Sequence, residues 1–186
     1  LTSRSLVAVI DPGSCFVGLL SEIIFACDRA YMLIGQLDGD PRPSPVVTLT
    51  TSNFGPYPMS NDLTRLKTRF LGRPSAVTEL FDLIGNPLPA QICLDLGLVT
   101  FAFDELDWED EIRIFLEERA AFSPDALVGL EANLRFPGPE TMETKIFGRL
   151  TAWQNWIFQR DNAAGEQGAL RRYGSGQKGV FDPERT

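Results

Sequence analysis

Leu6-Val7-Ala8-Val9-Ile10-Asp11-Pro12-Gly13-Ser14 begins with five apolar residues and stops at a cluster of turn formers. An unbroken apolar run closed in this way reads as a strand buried on both faces, as in a parallel sheet. Beyond it, Leu19, Leu20, Ile23, Ile24, Ala26 and Cys27 recur at helical spacing between Gly18 and Ala30, with Glu22 and Asp28 among them. Tyr31 to Ile34 reads as a second strand. Strand, helix and strand at this separation predict a parallel βαβ unit, because parallel strands need a crossover of about a dozen residues. The fold class is therefore α/β.

The same reading extends outward. Gly39 to Pro45 holds prolines at 41, 43 and 45 and is expected as a surface loop, and Val46 to Thr51 as a third strand. Asn61 to Phe70, Ser75 to Ile84 and Pro89 to Leu96 carry amphipathic spacing, and Leu98 to Phe103 reads as a strand after the helix-ending Gly97. Helices follow over Trp108 to Phe122, Ser123 to Arg135 and about Glu140 to Gln159. Ser123 supplies an N-cap and Pro124 the first helical position. Three regions are expected: a core at 1–104, a helical region at 105–160 and an extended C-terminal arm at 161–186.

Composition narrows the chemistry. The 186 residues are 44% hydrophobic and carry a net charge of −8 with no histidine. Without histidine, no Ser-His-Asp or Cys-His mechanism and no His-ligated metal site can be built from this chain. An acidic chain lacking a basic stripe is a poor partner for nucleic acid. Three cysteines in no metal-binding or redox spacing suit a reduced, cytoplasmic protein. The most apolar stretch, Val17 to Ala26, is interrupted by Ser21 and Glu22 and falls short of the ~20 residues of a membrane span. No signal peptide is read, and a chain starting at Leu1 with a strand almost at once is expected to be part of a longer polypeptide.

Gly13 to Asp28 is the first candidate site. A turn with Gly13 and Gly18 entering an apolar helix presents backbone N–H groups that can receive an oxyanion. Glu22, one turn further on, is placed to act as acid or base, or alternatively to tie the turn together as a structural residue; spacing leaves both readings open. Cys15 and Cys27 read as small buried hydrophobes rather than nucleophiles. Glu109, Asp110, Glu111, Glu117 and Glu118 read as a solvated helix face and not a metal cage, so no metal or cofactor is expected. Lys67, Arg69 and Arg73 read as surface charges, with contact to phosphates as the alternative.

Several blocks carry a resemblance. Ala8-Val9-Ile10, Pro12-Gly13-Ser14-Cys15, Glu22, Cys27-Asp28, Asn53-Phe54-Gly55-Pro56-Tyr57-Pro58 and Leu96-Gly97-Leu98-Val99-Thr100 resemble the central segments of the crotonase (enoyl-CoA hydratase/isomerase) superfamily. Asp110 to Ile114, Glu117 to Ala120, Ser123 to Leu127, Gly129 to Phe136, Gly138 to Thr144 and Phe147 to Phe158 resemble, within it, the C-terminal part of the benzoyl-CoA-dihydrodiol lyase family, and the resemblance runs from about Ser3 to the C-terminus. The resemblance implies a partial crotonase-like spiral of ββα-type turns followed by a helical region. It also implies a longer enzyme that opens the ring of an oxygenated benzoyl-CoA hydrolytically, releasing formate and an aliphatic semialdehyde CoA thioester. Its implied partners are the CoA thioester substrate, an N-terminal crotonase-like region of the same protein, and further copies in a homo-oligomer.

The same resemblance assigns Glu22 as the candidate catalytic residue and the backbone of Gly18 and Leu19 as thioester-binding candidates. Departures qualify this. Where active crotonases place three glycines before that glutamate, this chain has Gly18, Leu19 and Leu20, with Ser21 between. A leucine keeps its N–H but crowds a backbone that a thioester must approach closely. Thr51 stands where the second catalytic glutamate belongs, and a hydroxyl of ordinary pKa cannot replace that carboxylate as a base. Three readings follow: a lyase whose carboxylates come mainly from elsewhere in the protein, a degenerate structural domain, or an ordinary enoyl-CoA hydratase or isomerase, which the departures disfavour. Ile146, Phe147, Leu150, Trp153, Trp156 and Phe158 make a helix so apolar that it is expected to be covered, by this domain, another region or a second subunit.

Overall fold

The computed structural model describes residues 3–134 and 140–184. Arg135, Phe136, Gly138 and Pro139, part of the resemblance above, lie outside the described residues. The chain divides into two compact units, one of Leu6–Leu116 and one built from Leu1–Ser5 with Glu117–Thr186.

In the first unit, β1 (Val7–Ile10) and β3 (Arg29–Leu33) pair in parallel with Val7 opposite Arg29 and Ile10 opposite Met32. They are joined through a two-residue strand β2 (Phe16–Val17), a 3-10 turn at Gly18–Leu20 and helix α1 (Ser21–Ala26). The βαβ unit read from the apolar runs is thus present. The third predicted strand forms as β4 (Val46–Thr48), but it joins a different sheet. Both edges of β3 are occupied, by β1 and by β6 (Phe101–Phe103), so β4 pairs instead with β2 and, antiparallel, with β5 (Pro87–Pro89). β5 lies at the edge of its sheet, where a proline deletes no ladder hydrogen bond.

Helices α2 (Arg65–Arg69), α3 (Ser75–Phe81) and α4 (Ala90–Asp95) pack on these sheets. The first is shorter than its pattern. Asp62 takes a left-handed φ of 61°, which interrupts any helix there, and the Thr64 side chain caps the new start by accepting from the Lys67 N–H at 3.2 Å. Ile10, Ile24, Met32, Val47, Leu49, Leu66, Leu80 and Leu98 fill the core shared by the sheets and helices. A second cluster joins Tyr31 and Leu33 to Trp108, Ile112 and Phe115 of α5 (Glu105–Ala120). Of the acidic face of α5, Glu109, Asp110, Glu117 and Glu118 are exposed and Glu111 is half-buried; Asp110 and Arg113 pair at 3.1 Å with both side chains more than half exposed.

The second unit is helical. Helix α6 (Pro124–Leu134) starts with Pro124 in its first turn, as its sequence predicts, and Gly129 lets α8 (Thr151–Ile157) approach. A Cβ at Gly129 would lie 3.0 Å from Ile157 Cδ1. The long predicted helix is continuous but not uniform: α7 (Met142–Lys145) leads into a π-type turn, Ile146–Leu150, and then α8. Thr151 Oγ1 donates to the Ile146 carbonyl at 2.9 Å across that wider turn. The expected covering is partial in this unit. Trp153, Trp156 and Ile157 are half-buried, whereas Phe147 is 73% exposed. Residues 161 onward, read as an arm, contain α9 (Asp161–Ala164) and α10 (Ala169–Arg172). This segment folds back on itself, with Asn162 bonded to both the N–H and the carbonyl of Asp182.

Candidate functional site

The turn from β2 into α1 and the 3-10 turn Thr51–Asn53 after β4 meet around one buried side chain. Asn53 is 1% exposed, and its amide nitrogen lies 2.6 Å from Glu22 Oε1, 2.9 Å from the Gly18 carbonyl and 3.2 Å from Ser21 Oγ. Its carbonyl oxygen accepts from the Thr50 N–H at 2.9 Å, while the Thr50 side chain caps the same turn. Ser21 Oγ donates to the Gly18 carbonyl at 2.6 Å. The other oxygen of Glu22 accepts from Arg65 Nη1, on α2, at 3.3 Å. Both oxygens of the buried Glu22 carboxylate are thus engaged, by an amide and by a guanidinium.

This geometry locates each predicted site residue. Glu22 is 8% exposed in the first turn of α1, and Gly18 is buried with φ +54°. Leu19, by contrast, is 54% exposed, and Thr51 is exposed at the start of its turn. The structure brings Glu22 and Gly18 together through Asn53 and leaves Leu19 and Thr51 pointing outward. Asn53 and Arg65 were not singled out by spacing. The Thr50-x-x-Asn53 capping pattern was a legible signal for the turn, but the reach of Asn53 to residues 31 and 35 positions earlier was not.

The basic residues read near α2 are not all surface charges. Arg69 Nε donates to the Gly97 carbonyl at 2.5 Å and burial pushes its pKa down, while the Arg73 guanidinium stacks 5.7 Å from the Phe70 ring centre. Lys67 is exposed. Among the described residues no cluster of three or more Cys, Asp and Glu is arranged to hold a metal ion, and no helix is long and apolar enough to cross a membrane.

The cysteines depart from expectation in one respect. Cys15 is exposed rather than buried, because it sits on the turn after β1, and Cys27 is half-buried. Burial, and then the charge of Asp28, pushes the Cys27 thiol up, while burial, opposed by a backbone hydrogen bond at Val47, takes Cys93 to about 12. At pH 8 a thiol reagent is expected to modify Cys15 within minutes, Cys27 more slowly, and Cys93 only when urea unfolds the chain; modification of native Cys93 at the rate of Cys15 would contradict this packing. The raised Cys93 pKa also has a sign for stability. Its contribution is complete below the unfolded pKa near 9 and is lost as pH rises toward 12.

No family model matches this sequence. Solved structures do match it. An enoyl-CoA hydratase/isomerase from Mycobacterium paratuberculosis superposes with a TM-score of 0.67 at 11% identity, covering 97% of this chain and 62% of that one. An enoyl-CoA hydratase from Bacillus anthracis superposes with a TM-score of 0.63 at 16% identity, covering 97% and 63%. This is the crotonase fold. The α/β class read from the residues, and the crotonase-like spiral with a helical C-terminal region implied by the resemblance, are what the chain has. In sequence, the crotonase-fold chain is 53% identical over all 186 residues to benzoyl-CoA-dihydrodiol lyase of Aromatoleum evansii. It spans 33% of that relative's length, matching its C-terminal third. The similarity expected from about Ser3 to the C-terminus is matched over all 186 residues.

Proposed function

We propose that this chain is the C-terminal part of a lyase that opens the ring of the dihydrodiol or epoxide form of benzoyl-CoA hydrolytically, releasing formate and an aliphatic semialdehyde CoA thioester in the cytoplasm. The observation that carries this reading is the 53% identity to a benzoyl-CoA-dihydrodiol lyase without a gap in coverage of the chain. The crotonase fold suits a CoA thioester substrate.

Within that enzyme, this part supports the site rather than performing the chemistry. A general base needs a carboxylate lone pair within reach of the substrate proton. Glu22 is 8% exposed and each of its oxygens is held, by Asn53 and by Arg65, so little of the carboxylate faces a substrate, which favours a positioning role. Gly18 and Leu19 mark where backbone N–H groups would receive a thioester oxygen, and the Leu19 side chain crowds that approach. The reacting carboxylates then come from the remainder of the longer protein. The exposed Met142, Phe147, Leu150 and Phe158 support assembly into a homo-oligomer through the 142–158 helix, which sedimentation velocity would detect.

Substitution Glu22→Gln in the full-length protein tests the assignment. Gln keeps the size and one oxygen acceptor, for either Asn53 or Arg65, but turns an NH2 toward the other donor and removes the charge, so the melting curve is read beside the activity. Formate release is expected to stay within about threefold of the parent enzyme, a change equivalent to under ~1 kcal/mol of barrier. A fall of several orders of magnitude with an unchanged melting curve would return Glu22 to the chemistry.

A further inference from the structure

The stretch between Glu166 and Asp182 holds Arg171, Arg172 and Lys178 and no acidic residue, in a chain whose net charge is −8. Its middle, Arg172-Tyr173-Gly174-Ser175-Gly176-Gln177-Lys178, is a closed loop at the end of α10. Tyr173 at φ −57°, ψ 127° and Gly174 at φ 78° build a type II turn, which the Ser175 N–H closes on the Arg172 carbonyl at 3.0 Å. Gly176 is left-handed too, at φ 76°. The Gln177 N–H donates to Ser175 Oγ at 3.2 Å, and Arg172 Nη1 ties the loop shut on the Lys178 carbonyl at 2.8 Å.

This loop uses its acceptors internally and leaves donors over. The Arg172 carbonyl takes the Ser175 hydroxyl, at 2.7 Å, as well as its N–H. Among the described residues the N–H groups of Gly174 and Gly176 have no acceptor, and a Cβ built on either glycine meets nothing within 4 Å. Nor, among the described residues, does any of the three cations pair with a carboxylate. Arg171 and Lys178 are exposed, and the Tyr173 ring stands 90% exposed on the turn. Open backbone donors in a turn, flanked by unpaired cations, suit an oxyanion. α10 has only four residues, so the negative end of its dipole opposes such a ligand weakly. A carboxylate brings one charge, whereas a phosphate monoester brings about two charges near pH 7 and three acceptor oxygens, the better match to this set of donors. We propose that residues 171–178 form a phosphate-binding loop, which takes a phosphate monoester on the N–H groups of Gly174 and Gly176 between Arg171 and Lys178. Where the ligand carries a base, Tyr173 gives it a ring to stack on. The phosphate comes from the nucleotide end of a CoA thioester or from a free phosphorylated metabolite, with the same chemistry at the loop. The loop holds phosphate whether or not the full-length protein cleaves a ring.

Hydrogen exchange on the full-length protein reads this locally, in peptides covering 169–180. Inorganic phosphate is expected to slow exchange there at least threefold relative to sodium chloride at the same ionic strength, and to leave Val7–Ile10 unchanged. An Arg171→Gln, Lys178→Gln variant, altered only at exposed side chains, is expected to keep its melting curve and lose this protection. Gly176→Val keeps every charge but cannot hold a positive φ without strain, and is expected to reduce the protection at least threefold. CoA beside 3′-dephospho-CoA identifies the source. Protection that needs the 3′-phosphate assigns the loop to the nucleotide end of CoA, and protection by inorganic phosphate and ATP but not by CoA assigns it to a free phosphorylated metabolite; both sustain the loop. Equal slowing by sodium chloride, or by phosphate in the double variant, overturns it. Undiminished protection in Gly176→Val reduces the site to a charged patch and overturns it too. Stronger protection by polyglutamate than by phosphate assigns the cations to an acidic protein segment, with the same consequence.

Discussion

Replacing Asn53 by Leu is expected to lower stability by about 3 kcal/mol or more, the largest loss among single polar substitutions in the Leu6–Leu116 unit. Leucine matches asparagine in size but accepts and donates nothing. The substitution strips a donor from Glu22 Oε1, from the Gly18 carbonyl and from Ser21 Oγ, and an acceptor from the Thr50 N–H. Water cannot replace them readily, since Asn53 is 1% exposed and Glu22 8%. An uncompensated buried polar group costs about 1–3 kcal/mol, and removing one partner of a buried charge about 3–5 kcal/mol. Arg65 still holds the other Glu22 oxygen, which keeps the expectation at the lower end. Urea unfolding measures it, with Thr51→Ala at the neighbouring exposed position as a control expected to stay within about 0.5 kcal/mol. A loss below 1 kcal/mol for Asn53→Leu would mean that the buried network does not hold this turn.

The same network shows where sequence reading reaches and where it stops. β1, α1 and β3 were legible because five apolar residues in succession and a helical repeat encode burial locally. The helix start at Ser123-Pro124 was legible for the same reason, a cap and a ring that fix local backbone geometry. β2 and β5 were not read: two residues carry no periodicity, and Pro87 and Pro89 argue against a strand until the edge position is known. The long apolar helix was found, but its π-type turn depends on a hydroxyl bonding five residues back, which hydrophobic spacing does not encode. For the site, Glu22 and Gly18 stood out by type and spacing. Asn53 and Arg65 did not, because their roles arise from contacts 31 and 43 residues away, set by how two turns and a helix converge.

Gly18 provides the second large effect. Alanine there is expected to cost about 3 kcal/mol, from two separable sources. The backbone sits at φ +54°, a left-handed conformation that costs a residue with a Cβ roughly 1–2 kcal/mol. The added Cβ would also lie 2.7 Å from Thr50 Oγ1 and 3.1 Å from Thr50 Cγ2. Thr50 cannot simply turn aside: its hydroxyl contacts Ser52 Oγ at 2.7 Å and caps the Thr51–Asn53 turn. Overpacking against a side chain fixed in this way adds about 1–3 kcal/mol. Gly35 separates the two sources, since its φ is +86° but a Cβ built there meets nothing within 4 Å. Gly35→Ala should therefore show only the conformational part, about 1–2 kcal/mol by urea unfolding. Gly18→Ala should exceed it by 1 kcal/mol or more. Equal losses at the two positions would show that Thr50 moves freely, and that the turn carrying Gly18 is not clamped against the turn carrying Asn53.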